Sequence, residues 1–89
     1  MDSTTQGIAA AVTSFEVGPY RCIALAESAG PAQPHVGAAL VRREQADGTR
    51  ETRLTFAEED FDTAAEAMAY AAARADFLLR FEPASVVPF

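Results

Sequence analysis

The feature that most constrains this chain is an alanine-rich segment near its C-terminal end. It begins with a capping box, in which the Thr63 hydroxyl can accept from the N–H of Glu66 while the glutamate side chain reaches back. Apolar residues then recur with the helical period as far as Phe81, and Pro83 prevents the helix from continuing. One apolar stripe runs along it, made of Ala64, Ala67, Met68, Ala71, Ala75, Leu78 and Leu79. These small side chains predict a long helix that lies close against a sheet.

The segments before this helix read as antiparallel strands separated by turn residues. Strands are predicted over residues 13–17, 20–27, 36–44 and 50–57, with breaks at Gly-Pro, Gly-Pro-Ala-Gln-Pro and Asp-Gly sequences. The prediction is a single α+β domain of β-β-β-β-α order, with a sheet of three or four strands and the helix on one face. We assign residues 1–12 to a flexible leader, 13–82 to this domain and 83–89 to an apolar tail.

The register of the last hairpin can be argued from its charges. A two-residue Asp-Gly loop sets Glu44 opposite Glu51, which places two like charges together. A three-residue Ala-Asp-Gly loop instead sets Glu44 opposite Arg50 and Leu40 opposite Leu54, and these pairs are favourable. We therefore predict the three-residue loop.

Composition excludes several classes of function. The chain has 89 residues, 7 basic and 13 acidic side chains and a formal net charge of −6, and such a field opposes binding to phosphate backbones. A single cysteine excludes an intrachain disulfide and a multi-cysteine zinc site. Nothing in the sequence has the pattern of a signal peptide or of a membrane span, so we expect a cytoplasmic protein without membrane contact.

Several motifs follow one another in a familiar order, namely Tyr20-Arg21, Asp47-Gly48, Phe61-Asp62-Thr63, Glu66-Ala67 and Arg74-Ala75. This order resembles small bacterial proteins with one sheet and one helix, some of which carry a HlyU-like transcriptional-activator label. The resemblance covers about residues 15–80, and its motifs are turns and a helix cap, so it implies the fold. The arrangement is also topologically similar to the core of double-stranded-RNA-binding domains. The basic cluster that those domains carry at the start of the helix is replaced here by Glu58, Glu59, Asp60 and Asp62.

Candidate catalytic and metal-binding residues are few. Cys22 and His35 are the only thiol and the only imidazole, and a nucleophile–base pair would require them to lie within hydrogen-bond distance. We interpret Cys22 as a buried strand residue and His35 as a loop residue. The acidic segment at Glu58, Asp60 and Asp62 lacks the glycine and the distal carboxylate of a calcium loop. We therefore predict no catalytic residue, no metal and no cofactor.

The last hairpin carries four arginines. Phosphate binding by this group is one hypothesis, with Arg42 and Arg50 as candidate anion contacts, and cross-strand ion pairing is the other. A nucleic-acid-associated regulator that uses these arginines is thus the alternative function, although the acidic balance argues against nucleic acid.

The face of the sheet away from the helix is the main candidate surface. If the helix covers Leu40 and Phe56, the opposite face is patchily apolar, which favours a protein partner or a second copy. The other reading is that the apolar tail folds back and covers it. The predicted interaction surface consists of Tyr20, Cys22, Ala39, Val41, Arg43 and Arg53. We expect a non-enzymatic interaction module that acts through its sheet face or as a homodimer.

Overall fold

A computed structural model describes residues 13–89 of the chain, and the predicted leader at 1–12 lies outside these residues. The elements are β1 (Thr13–Val17), β2 (Tyr20–Ser28), β3 (His35–Gln45), β4 (Gly48–Phe61), helix α1 (Ala64–Phe81) and a single 3₁₀ turn (Pro83–Ser85). The strands form one antiparallel sheet in the order β1-β2-β3-β4, and the helix packs on one of its faces. The predicted α+β fold of β-β-β-β-α order is confirmed.

Both ends of the helix lie where the sequence places them. The hydroxyl of Thr63 accepts a hydrogen bond from the backbone N–H of Glu66 at 3.2 Å. That hydroxyl also donates to the Glu66 carboxylate at 3.1 Å, so the two residues close the first turn. At the other end the N–H of Glu82 donates to the carbonyl of Leu78, and Pro83 follows at once. These local signals define the helix without help from the sheet.

The core lies between the helix and one face of the sheet. From the helix it receives Ala67, Ala71, Ala75 and Leu79, one residue every four positions. The sheet contributes small residues at the point of closest approach. A Cβ atom added at Gly37 would lie 2.6 Å from the carbonyl oxygen of Ala67 and 2.7 Å from the Cβ of Ala71. The helix backbone therefore rests almost directly on β3, and glycine is required at this position.

The register of the last hairpin differs from the prediction of a three-residue loop, which is wrong. Gln45 pairs with Gly48, so the loop consists of Ala46 and Asp47, and the alternative Asp-Gly loop is not formed either. Glu44 stands opposite Thr49, and Gly48 adopts a φ of 130°. Leu54 consequently pairs with Ala39, and Leu40 pairs with Arg53 rather than with Leu54. This register lets Leu54 point toward the helix, where its side chain packs against the core. A single step in register changes the face of every side chain in a strand, so the error affects the whole hairpin.

Strand β4 is also longer than predicted. It continues through the acidic segment to Phe61, which pairs with His35 beyond an irregularity in the ladder. The ring of Phe61 lies against that of Tyr70 on the helix, with 5.2 Å between the ring centroids. This aromatic contact lies beyond residue 57, where the predicted strand ends.

On β2 and β3 the helix covers the face opposite to the one expected, whereas Phe56 of β4 lies under the helix as predicted. Tyr20, Cys22, Ala39 and Val41 lie beneath it and are buried, so the prediction that they form an open surface is wrong. The reason is size, since an alanine-lined helix packs closely only on a face lined by small residues. Where the helix comes closest, that face carries Ala24, Ala39 and Gly37, whereas Ile23, Leu25 and Leu40 point the other way.

The apolar tail packs against the core rather than against the open face. Val87 is buried among core residues, and Val86 and Phe89 contact the same cluster. The tail therefore folds back onto the cluster that contains Tyr20, Cys22, Ala39 and Val41, as the second reading expects for these residues, but this is the helix-covered side of the sheet.

Candidate interaction surface

The face of the sheet that points away from the helix has an apolar centre. Ile23 pairs with Leu40 and Leu25 pairs with Ala38 across β2 and β3, so the four side chains are neighbours on one face. We call them the open-face block. Ile23, Leu25 and Leu40 are partly exposed, and no element within residues 13–89 packs over them. The exposed apolar area of the block therefore comes from these three side chains, since Ala38 between them is fully buried.

Charged residues border the block on both sides. On one side a row crosses the whole sheet through Glu16, Arg21, Arg42 and Glu51. Its two arginines each have their own carboxylate, with N···O distances of 3.2 Å for Arg21–Glu16 and 2.8 Å for Arg42–Glu51. On the other side Arg53 of β4 pairs with Glu27 of β2 across the intervening strand. Exposed pairs of this kind contribute only about 0–1 kcal/mol each, so their main effect is to neutralise the border.

The four arginines of the last hairpin do not converge. Arg42 pairs with Glu51 in the ladder and Arg43 pairs with Arg50, and adjacent positions of a strand point to opposite faces. Arg43 extends over the ring of Tyr20 at 5.7 Å on the helix side, and Arg50 binds Asp47 at 2.7 Å. The two predicted anion contacts, Arg42 and Arg50, therefore lie on opposite faces, and each already has a carboxylate partner.

Of the six residues predicted for the interaction surface, only Arg53 lies on the open face. None of the four residues of the open-face block was predicted to belong to this surface. A usable signal was present, because Ala24, Ala39 and Gly37 share one face of β2 and β3 and alternate with the larger Ile23 and Leu40 of the other face. An alanine-rich helix paired with the small-lined face would have placed the larger side chains outside.

Cys22 and His35 are not brought together. In the sheet Cys22 of β2 pairs with Val41 of β3, whereas His35 of β3 pairs with Ser28. Val41 and His35 are six residues apart on β3, so Cys22 and His35 are separated by roughly 20 Å. Burial, with a smaller contribution from Asp76, raises the pKa of the Cys22 thiol to about 11. A fully buried, protonated thiol is a poor nucleophile, and its surroundings are those of a core residue.

The acidic segment of β4 has a structural partner. The hydroxyl of Tyr70 donates to the Glu58 carboxylate at 2.5 Å, and Arg74 lies 3.8 Å from the same oxygen. The hydrogen bond from Tyr70 is the largest cause that lowers the pKa of Glu58. Within the part of the chain that the structure describes, no group of three or more histidine, cysteine or acidic side chains is placed to hold a metal ion.

A shallow depression lies at the end of the open face next to the β1–β2 turn. It contains Arg21 and Arg42, together with the carboxylates of Glu16, Glu44 and Glu51. Negative charges outnumber positive ones here, so the depression offers no site for an anion.

Comparison with known proteins adds no relative, since no protein-family model, curated protein or solved structure matches this chain. The one long helix among residues 13–89 is not apolar enough to cross a membrane.

Proposed function

We propose that this chain is a non-enzymatic interaction module that binds a partner protein through its open sheet face. The observation that carries the proposal is the open-face block, in which Ile23, Leu25 and Leu40 form a partly exposed apolar centre on the two middle strands with electrically neutral ion pairs around it. An antiparallel sheet with one covered face normally presents polar side chains on the other. Here Ile23, Leu25 and Leu40 occupy positions that would otherwise be polar.

The character of the border favours protein over nucleic acid. Three arginines and three glutamates surround the block in closed pairs, so the face has no excess positive charge to attract phosphates. Protein interfaces have an apolar centre and a polar rim, which is the pattern of this face. The partner that fits it has a flat apolar patch with carboxylates and guanidinium groups around it.

The proposal can be tested by site-specific photo-crosslinking in the native cell. A photoreactive phenylalanine analogue at position 23 is compared with the same analogue at Ala84, an exposed residue of the tail. We expect a discrete adduct with another protein from position 23 and none from position 84. Equal adducts from both positions would contradict the proposal, and an adduct of twice the chain mass would assign this face to a second copy instead.

Substitutions at Leu40 provide the second arm of this experiment. Leu40→Asp places a charge in the centre of the block, and Leu40→Thr removes apolar area while keeping a strand-forming residue. Both are expected to abolish the adduct, because the apolar centre supplies most of the binding energy. A melting curve for each variant shows whether it is folded, and an adduct that persists in folded variants would rule out the block as the contact.

A further inference from the structure

The outward side of helix α1 carries a second surface that the proposed function does not use. The residues that point directly away from the sheet are exposed and recur at spacings of three and four, namely Glu66, Ala69, Ala73, Phe77 and Arg80. We call them the outer helix face. Phe77 is 45% exposed, and its ring contacts that of Phe81, which is 65% exposed.

This pattern is typical of a helix that packs against another helix. The three central positions of the outer helix face, Ala69, Ala73 and Phe77, are apolar, and an apolar stripe on a helix is normally covered. The three-four spacing is that of the seam between two packed helices. Alanine at the centre of the seam allows a second helix to approach closely, and the phenylalanine beside it supplies the apolar area that association needs.

We propose that a second copy of this chain packs on the outer helix face, antiparallel, with the two-fold axis at Ala73. A two-fold contact pairs residues that lie equally far on either side of the axis. Ala69 of one copy then meets Phe77 of the other, so that a large side chain packs on a small one. Glu66 of one copy likewise meets Arg80 of the other, so that opposite charges meet at both ends of the contact.

The charges at the ends of the seam are available for this pairing. The Glu66 carboxylate accepts from the hydroxyl of Thr63 in its own chain, which occupies only one of its acceptor positions. Arg80 binds Asp76 at 2.9 Å through one nitrogen, and its side chain is 55% exposed. The guanidinium group has five N–H donors, so it can bind the carboxylate of a second copy as well.

The same face argues against the parallel arrangement. A parallel pair sets Phe77 against Phe77, Glu66 against Glu66 and Arg80 against Arg80, which leaves Ala69 without a large partner and brings like charges together. The antiparallel pair also leaves both open sheet faces directed outward. The assembly would therefore present two copies of the proposed binding face, one on each side.

Two charge reversals test the register of this contact. Glu66→Arg alone sets arginine against arginine, and Arg80→Glu alone sets glutamate against glutamate, so each variant is expected to self-associate at least about tenfold more weakly than the natural chain. An equimolar mixture restores both opposite-charge pairs in a heterodimer. Sedimentation velocity over a hundredfold range of concentration is expected to show twice the 9.5 kDa chain mass for the natural protein and for the mixture.

A second substitution tests the axis itself. Ala73→Glu places two carboxylates face to face at the axis and is expected to give monomer at all concentrations, whereas Ala65→Glu on the flank of the same helix serves as the matched control. Circular dichroism shows that each variant keeps its helix. A natural chain that is monomeric throughout, or a mixture that fails to associate, would overturn the proposal.

The dimer on the outer helix face and the partner on the open-face block can be tested separately. Leu40→Asp on the open face is expected to leave the sedimenting mass unchanged, while Ala73→Glu is expected to leave the photo-crosslink from position 23 in place. Loss of the dimer in Leu40→Asp and not in Ala73→Glu would move self-association to the sheet and contradict this inference.

Discussion

Gly37 shows at the scale of one residue how closely the helix and the sheet are packed. A single added carbon would meet both the backbone and a side chain of the helix, and neither can move without displacing the whole element. The alanines of the helix and of β2 and β3 serve the same purpose, because they bring two backbones close together. This explains why a chain so rich in alanine still has a well-packed core, and why Ile23, Leu25 and Leu40 lie on the other face of the sheet.

Gly37→Ala is expected to lower the free energy of unfolding by about 1–3 kcal/mol, since overpacking a tight contact displaces backbone. Chemical denaturation measures this change. Gly30→Ala is the matched control, because the nearest atom to an added Cβ there is a flexible Gln33 side chain at 3.7 Å. The control is expected to change stability by less than about 0.5 kcal/mol. Similar effects at both positions would show that the helix does not rest on β3.

Among the elements, the helix was predictable from sequence and the hairpin register was not. The helix depends on Thr63, Glu66 and Pro83, whose effects are local and act wherever the helix packs. The register depends on which face of β3 the helix covers, and that is decided by residues far apart in the chain. Favourable pairs such as Glu44 with Arg50 contribute too little to compete with placing Leu54 against the core.

The contact between Tyr70 and Glu58 joins the helix to the edge strand β4, and its contribution should depend on pH. The pKa of Glu58 is lowered in the folded chain, so this stabilisation is present above the ordinary pKa near 4.5 and is lost as the pH falls through the lower folded value. The same hydrogen bond raises the pKa of Tyr70 above 10.0. The stabilisation is therefore also lost at high pH, as the pH rises through that raised value and the hydroxyl gives up its proton.

Tyr70→Phe is therefore expected to lower the melting temperature at neutral pH, and its difference from the natural chain is expected to shrink progressively as the pH falls below 4.5. Melting curves between pH 3 and 8 measure the difference. Asp60→Asn removes a neighbouring exposed carboxylate without touching this bond and serves as the control. A difference between Tyr70→Phe and the natural chain that stays constant across this range would show that the contact does not form.

At the scale of the whole molecule the chain is a thin two-layer plate, 17 Å through its shortest dimension. One layer is the sheet and the other is the helix, so each layer has an outward surface. The composition of the chain predicts that some apolar surface must stay outside, but not where it lies. Its position depends on which face of the sheet the helix covers, and that choice depends on all the small residues together. Both proposals depend on this choice of face. One places a partner on the open-face block, and the other places a second copy on the outer helix face.

The most direct test of this account is the rate at which thiols on the two sides of the sheet react with a maleimide under native conditions. Cys22 in the natural chain is expected to react only as fast as the protein unfolds, because it is buried and its pKa is raised to about 11. A cysteine introduced by Leu40→Cys in a Cys22→Ala background is expected to react within about tenfold of a free thiol. Rapid reaction of Cys22 with protection at position 40 would contradict the account, since it would place the helix on the other face.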